Sequence, residues 1–184
     1  MINIKFNAVN TINYLAGMEG NLKKAQISGT NKMAAQGLTQ ARKEIRQEYN
    51  IQLKHLTGKT SRGETITSVK KTFSELNPAK IVGYEQGISL GKFKVKQVDT
   101  GVEVEVKKGT PKTIKHAFGP KIARLGKGVW MRVGKERTPI KRLLGPGPAV
   151  MLRSRKVSKA VIDFIDQKFK SIMDHEIKYF LKIK

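Results

Sequence analysis

The stretch GKGVWMRVGKERTPIKRLLGPGPAVM, Gly126–Met151, holds the only tryptophan of the chain and its densest mixture of cationic, apolar, proline and glycine residues. Within Gly128–Val133, the side chains of Val129, Met131 and Val133 alternate with Gly128, Trp130 and Arg132. That is the period-two pattern of a strand with two different faces. Gly134–Arg137 reads as a turn and Thr138-Pro139-Ile140 as an extended exit, because the residue before a proline avoids the helical region. Leu143-Leu144 then precede Gly145-Pro146-Gly147-Pro148, which can neither continue a helix nor supply regular ladder donors at the prolines. Gly145 is expected to supply backbone angles closed to other residues. The stretch thus predicts a strand delivered to a rigid, shaped connection.

Upstream, strands are expected at Lys80–Tyr84, Ser89–Val95, Val102–Val106 and Thr113–Ala117, punctuated by Gly, Asp and Pro signals. Strict alternation in Val102–Val106 puts three valines on one face and Glu103 and Glu105 on the other, where they are expected to pair with lysines across the sheet. Residues 51–79 are polar and punctuated by glycine, and read as a loop or arm. Gly58-Lys59-Thr60 ends like a phosphate-binding loop, but Leu53 stands where its first glycine is required.

Before this, Met1–Phe6 reads as a short edge strand and Asn7–Met18 as a short helix. A long helix runs from an Asn21 cap to about Tyr49, with Ile27, Ala34, Leu38, Ala41, Ile45 and Tyr49 inward and Lys23, Lys24, Lys32, Gln36, Lys43 and Arg46 outward. At the other end, Ser154 or Ser158 caps a final helix with one wide apolar stripe that includes Val157, Val161, Ile165 and Met173. The predicted fold is α+β: a long N-terminal helix and a C-terminal helix packed on a mainly antiparallel β-sheet, with extended loops or arms. It is read as one domain over 1–184, comprising N-terminal helices (1–50), the loop or arm (51–79), the sheet with its basic Gly/Pro-rich connection (80–150) and the C-terminal helix (151–184).

Charge is the dominant compositional feature: 37 Lys and Arg against 14 Asp and Glu, a formal +23 in 184 residues. Such an excess destabilises a free compact chain by self-repulsion and calls for a polyanionic or acidic neighbour. Between Lys107 and Arg142 twelve cations stand against Glu136 alone, a net +11 in 36 residues. Cations at that density suit contact with phosphate backbone rather than base reading, and Phe118 and Trp130 are too few for a single-strand stacking platform. There is no cysteine, which excludes disulfides. No signal-like apolar region occupies Met1–Phe6 and no apolar run reaches about 18 residues, so neither secretion nor a membrane span is expected.

Catalysis is not expected. His55, His116 and His175 fall in a loop, at a strand end and on the last helix, without a nucleophile motif. His175-Glu176 begins like a zinc-protease motif, but Tyr179 occupies the place of its second histidine. No cofactor and no metal are predicted, and His116 reads as a half-buried structural residue.

Arg132, Gly134, Lys135, Arg137, Pro139, Ile140, Lys141, Leu143, Gly145, Pro146, Pro148 and Met151, with His116-Ala117-Phe118 upstream and His175-Glu176-Ile177 downstream, make a pattern that resembles the prophage minor tail protein Z family of long-tailed phages. The resemblance spans about Thr11 to the C-terminus and is sharpest from His116 to Met151. It implies a structural virion protein of the tail, acting in tail completion and assembled in the bacterial host cytoplasm. It further implies a ring of subunits, six by analogy with tail tubes, that contacts other tail or neck proteins at the head-proximal end and surrounds the DNA path. On that reading Lys121, Arg124, Lys127, Arg132, Lys135, Arg137, Lys141 and Arg142 face DNA or an acidic partner. Leu143, Leu144, Gly145, Pro146, Pro148 and Met151 form a subunit interface. The alternative is a basic nucleic-acid-binding module of ribosome- or nucleoid-associated type, which explains the charge equally well.

Overall fold

The structure is a computed structural model and describes residues 2–3, 19–60, 63–74, 76–119 and 128–182. The expected helix over 7–18 lies outside the described residues. The chain divides into two compact units, the first formed by 1–41, 67–83 and 152–184 and the second by 42–66 and 84–151. The α+β class holds: among the described residues there are two long helices, and the strands form three antiparallel three-stranded sheets rather than one.

The first unit is built around α1, Glu19–Glu48, whose residues up to Ala41 belong to it. Ala25, Met33, Ala34, Leu38 and Ala41 are buried, and the predicted outer cations Lys23, Lys24, Lys32, Lys43 and Arg46 are all exposed. Gly29 and Gly37 are also buried here, although glycine inside a helix costs roughly 0.5–1 kcal/mol relative to alanine. Their use is close approach. A Cβ at 29 would stand 2.5 Å from Met173 Sδ, and one at 37 would stand 3.0 Å from Ile165 Cδ1 and 3.2 Å from Ile81 Cδ1.

Met173 and Ile165 belong to the C-terminal helix, and Ile81 to β3, Lys80–Gly83. That strand is the centre of a sheet flanked by β1, Ile2–Asn3, and β2, Thr67–Lys70. The C-terminal helix, Arg155–Leu181, starts at the predicted Ser154 cap, whose side chain accepts from the Val157 amide. Its stripe is buried at Val157, Val161, Ile165 and Met173. The same face buries a carboxylate, Glu176, which is 1% exposed and ion-paired to Lys32 of α1. Burial by itself raises the Glu176 pKa, but hydrogen bonds from Lys32, Ser28 and His175 outweigh it and hold the carboxyl below its ordinary range.

In the second unit the end of α1 abuts a sheet of β4 (Lys94–Val98), β5 (Gly101–Glu105) and β6 (Lys112–Lys115). Asn50 donates its amide to Val106 and Lys108 donates to Glu48, while Lys107 pairs with Glu48 at 2.8 Å and lies over the Tyr49 ring. Val102 and Val104 are buried, and Glu105 meets Lys94 across the sheet at 2.7 Å, as the alternation predicts. At His116 the chain takes a left-handed angle, φ 59°, with its amide on Thr100 O. This divides the expected Thr113–Ala117 strand into β6 and β7, Ala117–Phe118, and carries the chain into the third sheet, ordered β7–β8–β9 with β8 at Trp130–Arg132 and β9 at Ile140–Arg142. His116 is exposed, not half-buried.

Two further expectations are corrected. The expected Ser89–Val95 strand holds only from Lys94, where β4 begins: Leu90–Lys92 is a 3₁₀ turn, and Leu90 and Phe93 are both buried because residues three apart share a face in that geometry. Residues 51–79 are not simply an arm. They contain the short helix α2, Lys54–Thr57, a tight hairpin closed by a Lys59–Thr65 bridge, and strand β2. The Gly58-Lys59-Thr60 run lies in that hairpin, with no strand leading into it and no helix opening after it.

Candidate nucleic-acid interface

The stretch 128–152 folds into a hairpin and then a turn into a short helix. In the hairpin, Trp130 pairs with Arg142, Met131 with Lys141 and Arg132 with Ile140, and the Val133 amide donates to Pro139 O at 3.0 Å. Thr138–Pro139 is cis. Residues 132–139 are all exposed. From Arg132 to Arg142 there are five cations and one acid, a net +4 in eleven residues.

Directly paired residues project to the same face of an antiparallel sheet. Arg132 therefore shares a face with Trp130, Ile140 and Arg142, Lys141 lies on the opposite face with Met131, and Lys135 and Arg137 occupy the tip. The cations expected to face DNA or an acidic partner therefore do not share one face here: the hairpin is a finger charged on both sides and at its end. Among the described residues no carboxylate pairs with Arg132, Lys135, Arg137 or Lys141. Carboxylates that pair with cations elsewhere include Glu48 with Lys107, Glu105 with Lys94 and Glu176 with Lys32. Glu105 is held down to about 2, first by the Lys94 hydrogen bond and then by the Gly109 amide.

Arg142 is different from its neighbours. Its guanidinium carbon lies 5.6 Å from the centre of the Trp130 ring and its Nε donates to Ser89 Oγ at 2.9 Å. It is turned back onto the protein and stiffens the base of the finger, a role that the sequence reading did not separate from phosphate contact. Gly128 lies beneath Trp130, where a Cβ would come 2.8 Å from Nε1. Lys121, Arg124 and Lys127 lie outside the described residues.

The segment expected as a subunit interface is mostly consumed inside its own unit. Leu90 donates to Leu143 O, Gly145 to Ile88 O and Ala149 to Tyr84 O, so 143–149 is laced onto 84–90. Pro148 opens helix α3, Pro148–Leu152, at the one helical position where a missing N–H costs nothing. Pro148 is buried and Met151 is fully so, so neither presents a surface to a partner. Gly145 and Gly147 do not have positive φ; what they supply is room. A Cβ at 145 would stand 2.9 Å from Leu90 Cδ2, and one at 147 would stand 2.6 Å and 2.7 Å from the carbonyl oxygens of Glu85 and Gln86. What remains exposed and apolar is Leu144, together with Val150, which the sequence reading did not single out.

The histidines are placed apart. His55 has a lowered pKa because of partial burial and then the nearby charges of Lys92 and Lys54. His175 Nδ1 lies 3.1 Å from Glu176 Oε1. No group of three or more His, Asp or Glu that would hold a metal occurs among the described residues, and none of the described helices is long and apolar enough to cross a membrane. Comparison of the chain with protein-family models, with curated proteins and with solved structures returned no match.

Proposed function

We propose that the chain is a structural, non-enzymatic protein that self-associates around duplex DNA, a minor tail or tail-completion protein of a long-tailed phage or prophage. The observation that carries the DNA contact is the β8–β9 finger, with four exposed cations and, among the described residues, no carboxylate partner for any of them. Duplex DNA presents about one negative charge per 1.7 Å of axis, and its major groove admits a two-stranded ribbon. A finger charged on both sides suits phosphates flanking it on both sides. The virion setting rests on the family resemblance, sharpest from His116 to Met151, and the net +23 explains why association needs a polyanion or an acidic neighbour to offset self-repulsion.

Negative-stain imaging of the purified protein, with and without linear duplex, tests the reading. Closed rings, or regularly spaced collars on duplex, are expected. Isolated monomers that coat DNA irregularly would favour the nucleic-acid-binding module instead.

A further inference from the structure

The sheet of the first unit contains a pairing that works against its own stability. Lys70 of β2 stands directly opposite Lys80 of β3. Directly paired residues share a face with their Cβ atoms about 5 Å apart, and like charges placed so are destabilising. The opposite face holds Val69 and Ile81, and Ile81 is fully buried, with its Cδ1 3.2 Å from where a Cβ at Gly37 of α1 would stand. Alternation therefore turns the two lysines away from α1, onto the same face as Ser68 and Val82. Lys70 and the following Lys71 are exposed, and Lys80 is half-buried. Among the described residues no carboxylate pairs with any of the three. In sequence, Glu75 is the single acid of residues 67–83.

The loop that joins these lysines is tethered and ends in apolar side chains. The Asn31 side chain donates to Thr72 O at 3.0 Å and accepts from the Thr72 amide at 2.9 Å, and Thr72 Oγ1 donates to Ser74 O at 2.7 Å. Beyond this anchor Phe73 is 89% exposed and Leu76 is 86% exposed. Cations thus stand at the base of the loop, and two large apolar side chains stand on it.

We propose that this loop is a second element that contacts duplex DNA: Lys70, Lys71 and Lys80 hold phosphates, and Phe73 and Leu76 enter the groove and wedge against a base step. The inference rests on the duplex-DNA reading and adds a contact of a kind that the finger does not make. The Lys70–Lys80 pair carries it, because a phosphate seated between two ammonium groups turns their repulsion into two attractions. A groove of the duplex offers phosphates along its rims and the base stack between them, which matches cations at the base of a loop and apolar side chains on it. Proteins that open base steps do so with apolar wedges such as Phe and Leu, and a wedge already held in place loses little entropy on insertion. Phosphate contacts alone let a duplex slide, whereas an inserted side chain grips it.

The test uses two full-length variants, Lys70→Gln/Lys71→Gln/Lys80→Gln and Phe73→Ser/Leu76→Ser, with circular dichroism to confirm folding. Removing the like-charge pair is expected to leave the unfolding midpoint no lower than that of the wild-type chain. In fluorescence anisotropy on a short duplex, the lysine variant is expected to lower the slope of log affinity against log salt by about 2.7, about 0.9 for each cation. The apolar variant is expected to keep the slope and to bind roughly 10-fold more weakly at each salt concentration. The wild-type chain should also change the linking number of closed circular DNA relaxed by a topoisomerase, and the apolar variant should not. A lysine-variant slope unchanged to within about 0.5 overturns this contact, and the DNA reading still stands where neutralising the finger cations lowers the slope. If neither set of cations moves the slope, both fall. An apolar variant with wild-type affinity, or a wild-type chain that leaves the linking number unchanged, overturns the insertion. Loss of binding to phosphatidylglycerol vesicles by both variants, with duplex binding unchanged, assigns the loop to a lipid surface and overturns the proposal.

Discussion

Neutralising Arg132, Lys135, Arg137 and Lys141 together, each to Gln, removes four exposed cations of the finger while leaving its ladder and the Arg142–Trp130 stack in place. None of the four pairs with a carboxylate among the described residues, so the thermal midpoint is expected to stay near that of the wild-type chain. The effect belongs in DNA binding. Each phosphate contact contributes about 0.9 to the slope of log affinity against log salt. If phosphates flank the finger on both sides, all four cations count and the slope falls by about 3.6. If the finger lies on one side of a duplex, about half of them count and it falls by about 1.8. Between roughly 50 mM and 200 mM salt, the wild-type advantage then shrinks by about 150-fold in the first case and about 12-fold in the second. Fluorescence anisotropy on a short duplex at four salt concentrations reads this directly. A slope unchanged to within about 0.5 would refute phosphate contact by the finger, and the cations would then answer to an acidic protein.

The remaining predictions concern stability. Arg142→Gln removes the ring contact and the Ser89 hydrogen bond and is expected to cost about 1–2 kcal/mol in chemical denaturation while changing the salt slope by less than about 1. Gly147→Ala places a Cβ against two backbone carbonyls, and Gly101→Ala, at φ 154°, places one 2.1 Å from Ile114 O. Both should unfold well below the wild-type chain, whereas Gly109→Ala, at φ 77° with nothing within 4 Å, should cost only about 1 kcal/mol. Asn31→Ala strips two hydrogen bonds from the nearly buried Thr72 and is expected to cost about 1–3 kcal/mol, with faster proteolysis of the 71–79 loop. Glu105 and Glu176 both have folded pKa values below the ordinary carboxylate range, so the stability they confer is present above the ordinary carboxylate pKa and is lost as pH falls through the folded values, which for Glu105 is about 2. A Glu105→Gln/Glu176→Gln chain should therefore show a flatter loss of unfolding midpoint across that window than wild type.

Both long helices are legible in the sequence because each carries a long stripe at helical spacing and, for the second, a serine cap at Ser154. Strand alternation at Val102–Val106 likewise fixes which face is buried. What the pattern does not carry is tertiary. Gly29 and Gly37 look like weak points of a helix until Met173, Ile165 and Ile81 stand against them. A single left-handed residue, His116, divides one apparent strand between two sheets, and nothing in local alternation marks it. The finger cations are visible as a basic run, but their distribution over two faces depends on the register Trp130–Arg142, and the commitment of Arg142 to Trp130 and Ser89 depends on a residue 53 positions away. The connection at 143–151 reads as a rigid presented shape, yet its glycines are spaces for Leu90, Phe93 and the carbonyls of Glu85 and Gln86. Phe73 and Leu76 draw no notice in a polar stretch, since exposure of an apolar side chain is a property of the fold.

The central claim is that this chain assembles with itself around DNA, and its mass by light scattering across a salt series, with and without a short duplex, tests it most directly. Screening of a +23 chain should favour self-association as salt rises, while duplex binding weakens over the same range. A discrete oligomer of several subunits, formed at moderate salt or on added duplex at low salt, is the predicted result. A monomer at every salt concentration, binding one duplex tightly at low salt without further association, would contradict the account and identify the chain as a nucleic-acid-binding module.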